Sequence, residues 1–275
     1  MVPQLSIIFM AVSCLIAFVI PVALFLYLRR KYHADILAFL IGCAVMLVFA
    51  LMLESFAHQL ILNGSPLGAV ITSSPWLYAL YGGLMAGLFE ETGRLIAFRT
   101  VLRRGLGKDG NALMYGAGHG GLEAIVLVGL SYISNLVTAK LINSGNISAI
   151  TESLSGDTLA QTKEVIQTLV DTPPYQFLLG GLERIPAIAL QIALSVLVWF
   201  AVKKKAQGLG RLFPIAILLH FLVDGVTVLL SATTLPVYVT EIVVLLMAAA
   251  VCFYAWKVWA ANKTDPEDEA VAAEQ

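Results

Sequence analysis

Residues 76–101 read WLYALYGGLMAGLFEETGRLIAFRTV, an apolar run long enough to cross a bilayer as a helix. Its second half places Glu90, Glu91 and Arg94 at membrane depth, where each ionised side chain costs about 2.5–3.5 kcal/mol. Glu90 and Arg94 are four residues apart, so they share a helix face and are predicted to pair. Glu91 is rotated by about 100° from Glu90 and lacks that partner. A structural ion pair needs only one acid, so the second acid indicates a functional role.

The composition of the whole chain is that of a membrane protein. Of its 275 residues, 59% are hydrophobic and only 13% are charged, whereas soluble domains carry about 25% charged residues. The net charge of −1 argues against nucleic acid as a partner. The three cysteines lie in apolar runs and form no disulfide framework or CxxC metal motif. We therefore predict an all-α fold, a polytopic helical bundle that forms one membrane domain over residues 1–262.

Apolar runs separated by turn signals predict seven membrane-spanning helices. These spans cover residues 5–28, 36–62, 76–101, 112–138, 176–202, 212–231 and 237–259. The polar segment 139–175 follows the fourth span, and a weak helical period at 162–170 indicates a short interfacial helix within it. The acidic tail, residues 263–275, is predicted to be disordered.

Basic residues predict how these helices are oriented. In the seven-span arrangement thirteen Lys and Arg side chains fall on one side of the membrane, and only Lys140 and Lys163 fall on the other. Because basic loops remain in the cytoplasm, the N-terminus and segment 139–175 are predicted outside and the C-terminus inside. The predicted location is the cytoplasmic membrane, where the lipid bilayer surrounds every span.

Polar side chains of several spans are predicted to share one depth. Counted at about 1.5 Å per residue, a layer roughly 10–18 Å from the cytoplasmic edge contains Glu90, Glu91, His119, Glu123, Gln191, His220 and Asp224. His119 with Glu123, and His220 with Asp224, are spaced to share a helix face. The glycines at positions 116, 118, 120 and 121 allow close helix packing or leave room for a substrate backbone. Helix packing would gather the layer into one pocket.

This set of side chains suits hydrolysis of an amide by activated water. A carboxylate can act as general base, and histidines can orient water, donate to an oxyanion or bind a metal. No Ser or Cys nucleophile has a base partner in a recognisable motif, and HExxH is absent. The same midplane groups also suit an ion- or proton-coupled transporter, or a ligand-binding sensor without activity. The clustering of two histidines with adjacent glutamates favours hydrolysis.

Three motifs in this layer resemble those of intramembrane proteases. Their order in the chain is Phe-Glu-Glu-x-x-Arg at 89–94, Gly-His-Gly-Gly-x-Glu at 118–123 and His-Phe-Leu-Val-Asp at 220–224. Together with Glu183-Arg184 they resemble the YhfC branch of the superfamily of CAAX prenyl endopeptidases, bacteriocin-processing proteins and PrsW. The resemblance covers about residues 76–230. It implies a membrane peptidase of seven or eight helices that cleaves a membrane-embedded protein or peptide.

The resemblance also implies roles for individual residues. Glu90 or Glu91 would be the general base, and His119 would share its water. His220 together with Asp224 would stabilise the oxyanion. Arg94 would hold one carboxylate in place.

The predicted pairing of Arg94 with Glu90 makes Glu91 the expected base. A zinc ion, if bound, would be held by His119, His220 and Glu91. Gln191 stands where the branch often has a histidine, which favours a metal-free, glutamic-type mechanism.

Two further charged pairs are assigned to structure. Glu54 and His58 are four residues apart on the second span, and His58 lies near the outer interface. Glu183 and Arg184 lie in the outer half of the fifth span, where we expect a salt bridge between helices or a gate for access from outside.

Overall fold

A computed structural model describes residues 1–264, and these residues form ten longer helical segments, three single 3-10 turns and no strand. The helices are α1 (Gln4–Lys31), α2 (Ile36–Asn63), α3 (Pro66–Thr72), α4 (Pro75–Arg99), α5 (Gly110–Asn143), α6 (Ser148–Thr151), α7 (Gly156–Asp171), α8 (Pro174–Lys203), α9 (Leu212–Ser231) and α10 (Val237–Asn262). The predicted disordered tail lies outside the described residues, apart from Lys263 and Thr264.

The all-α membrane fold is confirmed. Within residues 1–264, six helices are long and apolar enough to cross a membrane by length and composition, namely α1, α2, α5, α8, α9 and α10. The third predicted span, α4, is 25 residues long but is not among these six. Its charged residues lower its mean hydropathy below that of the other long helices. Membrane crossing by α4, and the orientation that depends on it, therefore stay predictions.

Local sequence explains where several helices begin and end. Pro75 opens α4 directly after Ser74, in keeping with the preference of proline for the first helical turn. The helix α7 ends at Asp171, just before Thr172 and two prolines, as predicted, but it starts at Gly156 and is longer than the predicted 162–170. Its assignment to the membrane interface stays a prediction.

Two of the long helices contain wider, π-type turns. In α2 these turns cover Met46–Glu54 and Gln59–Asn63, and in α5 they cover Ile125–Leu130. Such turns are uncommon in helices and occur often at functional sites. The first of these turns ends at Glu54, which is a buried acid.

The helices contribute to two compact units. The first unit comprises Met1–Ile20 and Ala124–Ile185, and the second comprises Pro21–Glu123 and the described residues from Pro186 onward. The single domain predicted over residues 1–262 stays a prediction.

The first unit has a small apolar core around Met10, Leu169 and Phe177. The hydroxyl of Ser13 donates to the carbonyl of Phe177 at 2.7 Å, and the ring of Tyr132 meets that of Phe177 edge-on with centroids 5.8 Å apart. These contacts attach the beginnings of α1 and α8 to α5 and to the polar segment that includes α7.

The second unit has its core around the C-terminal half of α8. Residues 193–201 of this helix are almost all buried, which places aromatic side chains at the centre of the unit. The ring of Phe98 meets the rings of Tyr115 and Trp199 edge-on, with centroids 4.7 and 5.1 Å apart. This geometry is preferred by aromatic pairs and fixes α4, α5 and α8 to one another.

A buried carboxylate joins three segments at one end of the second unit. Asp109 accepts hydrogen bonds from the Trp199 indole at 2.8 Å, the Lys203 ammonium at 2.7 Å and the backbone N–H of Thr264 at 2.8 Å. We call these four residues the Asp109 cluster. It connects the start of α5, the end of α8 and the segment after α10.

The neighbouring acid Asp35, in the loop between α1 and α2, is more exposed. It accepts from Lys108 at 2.9 Å and from the Asn111 amide at 3.0 Å. Burial alone would raise the pKa of Asp35, but these hydrogen bonds hold that pKa below its usual value.

Candidate active site

The polar layer predicted from the sequence is assembled within the second unit. Its side chains come from four helices: Glu90, Glu91 and Arg94 from α4, His119 and Glu123 from α5, Gln191 from α8, and His220 and Asp224 from α9. Glu91, Arg94 and His119 have no exposed surface, and Glu90, Gln191 and His220 are also buried. We call these eight residues the polar layer.

Glycines bring the four helices close enough for these side chains to meet. A Cβ atom at Gly83 of α4 would lie 2.5 Å from the carbonyl oxygen of Phe221 on α9. A Cβ at Gly116 of α5 would lie 2.5 Å from Cα of Ile192 on α8. Both distances are shorter than real side-chain contacts allow, so these helix pairs pack backbone to backbone.

The hypothesis that the α5 glycines leave room for a substrate backbone is therefore wrong. A Cβ at Gly118 would lie 2.1 Å from the carbonyl of Phe39, and one at Gly121 would lie 2.7 Å from Cβ of Pro21. Close helix packing, the alternative, is what the structure has. The space beside these glycines is filled by α1, α2 and α8.

Glu90 is held by an imidazole and an amide. Its Oε2 atom lies 2.8 Å from Nε2 of His119 and accepts a hydrogen bond of 2.9 Å from the Gln191 amide. Nε2 of His220 is 3.8 Å from the same oxygen. Because an ionised carboxylate can only accept, Nε2 of His119 must carry the proton in this contact.

Glu91 has different partners. Its Oε1 atom accepts from the Arg94 guanidinium and lies 2.8 Å from Nδ1 of His220. The predicted pairing of Arg94 with Glu90 is therefore wrong, because Arg94 pairs with Glu91 at a spacing of three residues. Both spacings share a helix face, and the sequence cannot choose between them. The choice is made by α8, where the Gln191 oxygen accepts from the other end of the guanidinium at 2.5 Å.

Two further acids flank the buried pair. Oε2 of Glu123 accepts from the Gln191 amide at 3.1 Å. Oδ2 of Asp224 is 3.4 Å from Nε2 of His220, which matches their predicted sharing of a helix face. The Asp224 side chain is 35% exposed, so it marks the side on which the layer is open.

Glu54 makes its predicted contact with His58 and is within electrostatic range of the layer. The predicted pair exists, with Oε1 of Glu54 3.3 Å from Nε2 of His58, and Nδ1 of His58 contacts the Tyr81 hydroxyl at 2.9 Å. The carboxyl of Glu54 also interacts electrostatically with Glu90 and His220. The π-type turn that ends at Glu54 alters the helical phase on which a depth count relies.

The pair Glu183 and Arg184 belongs to the first unit. The Arg184 guanidinium donates to the Glu183 carboxylate, its neighbour in sequence. Their predicted role in access from outside stays a prediction.

Several buried polar atoms of the layer lack a hydrogen-bonding partner among the described residues. They are Oε2 of Glu91, Nε of Arg94 and Nδ1 of His119. Leaving a buried polar atom unpaired costs about 1–3 kcal/mol, so such atoms are uncommon in a purely structural network. They are positions where water or a bound ligand would complete the hydrogen bonding.

The donors of the layer do not fit a metal site as they are placed. Within residues 1–264 no group of three or more His, Cys, Asp or Glu side chains could hold a metal ion. Of the residues predicted to hold zinc, His119 faces Glu90, whereas Glu91 is engaged by Arg94 and by Nδ1 of His220. A zinc ligand must direct an unshared electron pair at the ion, and Nε2 of His119 instead meets a carboxylate oxygen at a hydrogen-bond distance.

These features define a polytopic helical membrane protein with a buried acid–histidine layer. The chain belongs to the YhfC family, because the model of the YhfC intramembrane metalloprotease family matches residues 16–245. A similar protein is the "Uncharacterized membrane protein YhfC" of Bacillus subtilis (strain 168), which is 41% identical over 251 residues. The matched region covers 90% of this chain and 95% of that protein. No solved structure matches the chain.

Proposed function

We propose that this protein is an intramembrane endopeptidase of the cytoplasmic membrane. It hydrolyses a peptide bond of a membrane protein or lipid-associated peptide with water activated by Glu90. The observation that carries the proposal is the unequal environment of two adjacent buried carboxylates. Arg94 and His220 bind Glu91, whereas Glu90 accepts from His119 and from the neutral Gln191 amide. The matching family is described as an intramembrane metalloprotease, which agrees with the proposal in reaction class.

Glu90 is the general base in this mechanism. Glu91 is the acid that pairs with Arg94 and therefore has the supporting role, so the proposed base is Glu90 and not the expected Glu91. Glu90 takes a proton from water, and the hydroxide adds to the carbonyl carbon of the scissile bond. Glu90 then passes the proton to the leaving nitrogen as the C–N bond breaks. The products are a carboxylic acid and an amine, which exchange a proton to become a carboxylate and an ammonium group, and no covalent intermediate with the enzyme forms.

The two histidines have separate roles. His119 orients Glu90 through its Nε2 atom and contacts the attacking water. His220 stabilises the negative charge that develops on the carbonyl oxygen by donating from Nε2, and Glu91 holds the ring through Nδ1. In the free protein Nε2 faces Asp224, which orients this N–H until the oxyanion accepts it. Glu90 thus acts as the base, His119 orients it, and His220 stabilises charge while Glu91 holds its ring.

The wider relation to CAAX prenyl endopeptidases, bacteriocin-processing proteins and PrsW is part of the same proposal. It is supported by the order of the three motifs along the chain. The proposed chemistry is metal-free and glutamic-type. Support comes from the hydrogen-bonding arrangement of His119, Gln191 and Glu90, in which nitrogen donors meet one carboxylate oxygen.

The test is cleavage of membrane-tethered reporter peptides by the purified full chain in liposomes. We expect the kcat of Glu90→Gln to be about 10²–10⁴-fold lower than that of the parent protein, because an isosteric amide keeps the shape of the side chain but cannot accept the proton. Glu164→Gln is the matched control, since it changes an exposed glutamate of α7 that lies outside the polar layer. This control should insert, accumulate and cleave like the parent protein.

Two results would contradict the proposal. Equal cleavage by the parent protein and by Glu90→Gln would remove Glu90 as the base. Ion-dependent uptake into the liposomes, without cleavage of any reporter, would favour the transporter hypothesis. Parallel samples treated with chelator or supplemented with zinc test the metal-free chemistry, which requires equal rates in both.

A further inference from the structure

Gln191 connects two halves of the polar layer although it is neither an acid nor a base. Its Oε1 atom accepts from Arg94 at 2.5 Å. Its Nε2 atom donates to Glu90 at 2.9 Å and to Glu123 at 3.1 Å. The three hydrogen bonds of this buried amide are thus all with charged groups.

The orientation of the Gln191 amide follows from its partners. A guanidinium has only donors, so the side facing Arg94 must be the amide oxygen. Ionised carboxylates have only acceptors, so the side facing Glu90 and Glu123 must be the amide nitrogen. Reversing the amide would set like atoms against each other on both sides.

The side chain of Gln191 is also confined by α5. A Cβ atom at Gly120 would lie 3.0 Å from Cβ and 3.2 Å from Cγ of Gln191. The glycine therefore lets α5 pack directly on the stem of this side chain. A stem held by backbone packing loses little further freedom when its amide binds three partners.

We propose that Gln191 is a positioning residue, which holds the Glu90 carboxylate in the geometry needed to accept a proton from water. This inference rests on the proposed function. A neutral amide can bridge Glu90 and Glu123 without adding a cation, so Glu90 keeps its basic character. Through the same side chain, Arg94 is directed away from Glu90 and toward Glu91.

Two variants separate the roles of the amide. Gln191→Met keeps an unbranched side chain of similar length and removes both the donor and the acceptor. Gln191→Glu keeps an acceptor for Arg94 but removes the donor to Glu90. We expect each variant to lower kcat by about 10–100-fold with KM within about twofold of the parent, because small misplacements of a catalytic group cost about this much.

Asn111→Leu is the matched control. It removes another buried amide that donates to a carboxylate, that of Asp35 at 3.0 Å, outside the polar layer. We expect this variant to lower the Tm in detergent and to leave kcat unchanged. Asn111→Leu shows how much kcat is lost when only Tm falls. If Gln191→Met loses no more kcat than its own fall in Tm accounts for on that scale, the positioning role is overturned.

The remaining outcomes also decide the question. Full kcat in Gln191→Met would overturn the inference while the proposed function stands. Full kcat in Gln191→Glu would do so too, because the contact with Arg94 would then suffice. If the parent protein cleaves no reporter, the proposed function is wrong. The contact between Gln191 and Glu90 can then still be tested with a double-mutant cycle in which Tm is measured. Glu90→Ala and Gln191→Met should then be non-additive, and additive Tm shifts would overturn the inference.

Discussion

Two groups of buried acids in the second unit differ in how completely they are paired. In the Asp109 cluster a single carboxylate is surrounded by an indole N–H, an ammonium group and a backbone N–H. In the polar layer, four carboxylates share Arg94, two histidines and one amide, and Oε2 of Glu91 has no partner among the described residues. Charge and hydrogen bonds are balanced in the first group and are not in the second.

This difference in pairing distinguishes acids that stabilise the fold from acids that can take part in chemistry. A fully paired buried acid gains nothing from a ligand and becomes costly only when a partner is removed. Where four acids share one guanidinium, one of them, Glu90, is left without an arginine partner and can act as a base on water. The comparison predicts that changes in the Asp109 cluster affect stability, whereas changes in the polar layer affect cleavage.

The largest effect is expected at Asp109. Asp109→Ala leaves the Lys203 ammonium and the Trp199 N–H without their shared acceptor. Breaking a buried ion pair on one side costs about 3–5 kcal/mol, so the Tm in detergent should fall markedly. The fraction that remains folded should cleave with the parent kcat. A normal Tm together with lost cleavage would contradict the division between the two groups.

The next effect is expected at His220, within the polar layer. His220→Ala removes the proposed donor to the oxyanion, and such losses reduce kcat by about 10²–10³-fold. A trace of cleavage should remain, in contrast to loss of the base in Glu90→Gln. Asp224→Asn should be milder, because an amide can still contact His220. Cleavage rates measured side by side test this order, and parent-level activity in His220→Ala would remove it from the mechanism.

The smallest effect is expected at the more exposed acid Asp35, and it depends on pH. Because the pKa of Asp35 is lowered in the folded protein, its ionised form stabilises the fold above the unfolded pKa of about 3.9. This contribution is lost as the pH falls through the lower folded pKa. Solvent screening limits it to less than about 1 kcal/mol. Tm measured from about pH 5 to 3 should fall more steeply in the parent than in Asp35→Asn, and parallel curves would contradict this.

Most of the secondary structure was predictable because it depends on local patterns. The ninth helix, predicted at 212–231, has those bounds, and the other long helices differ from prediction by a few residues at each end. Apolar runs and turn residues carry this information along the chain. The one predicted span not confirmed as apolar enough, α4, is the helix that contributes Glu90, Glu91 and Arg94.

The shared depth of the site residues was also predictable, since rise per residue converts sequence position into height along a helix. Glu90, His119 and His220 do meet, as their depth indicated. Their catalytic roles stay predictions. Gln191 was at the same depth, but its residue type gave no reason to place it at the centre of the layer.

The sequence by itself determined the class of protein, the helices and the layer of acids and histidines, because hydropathy and helical period are properties of neighbouring residues. Only the tertiary structure decided which acid pairs with Arg94. Spacings of three and four residues share one face, and the choice is made by Gln191, 97 residues further along the chain. Likewise, only the tertiary structure shows whether the α5 glycines serve close helix packing or leave room for a substrate, because other helices fill the space beside them.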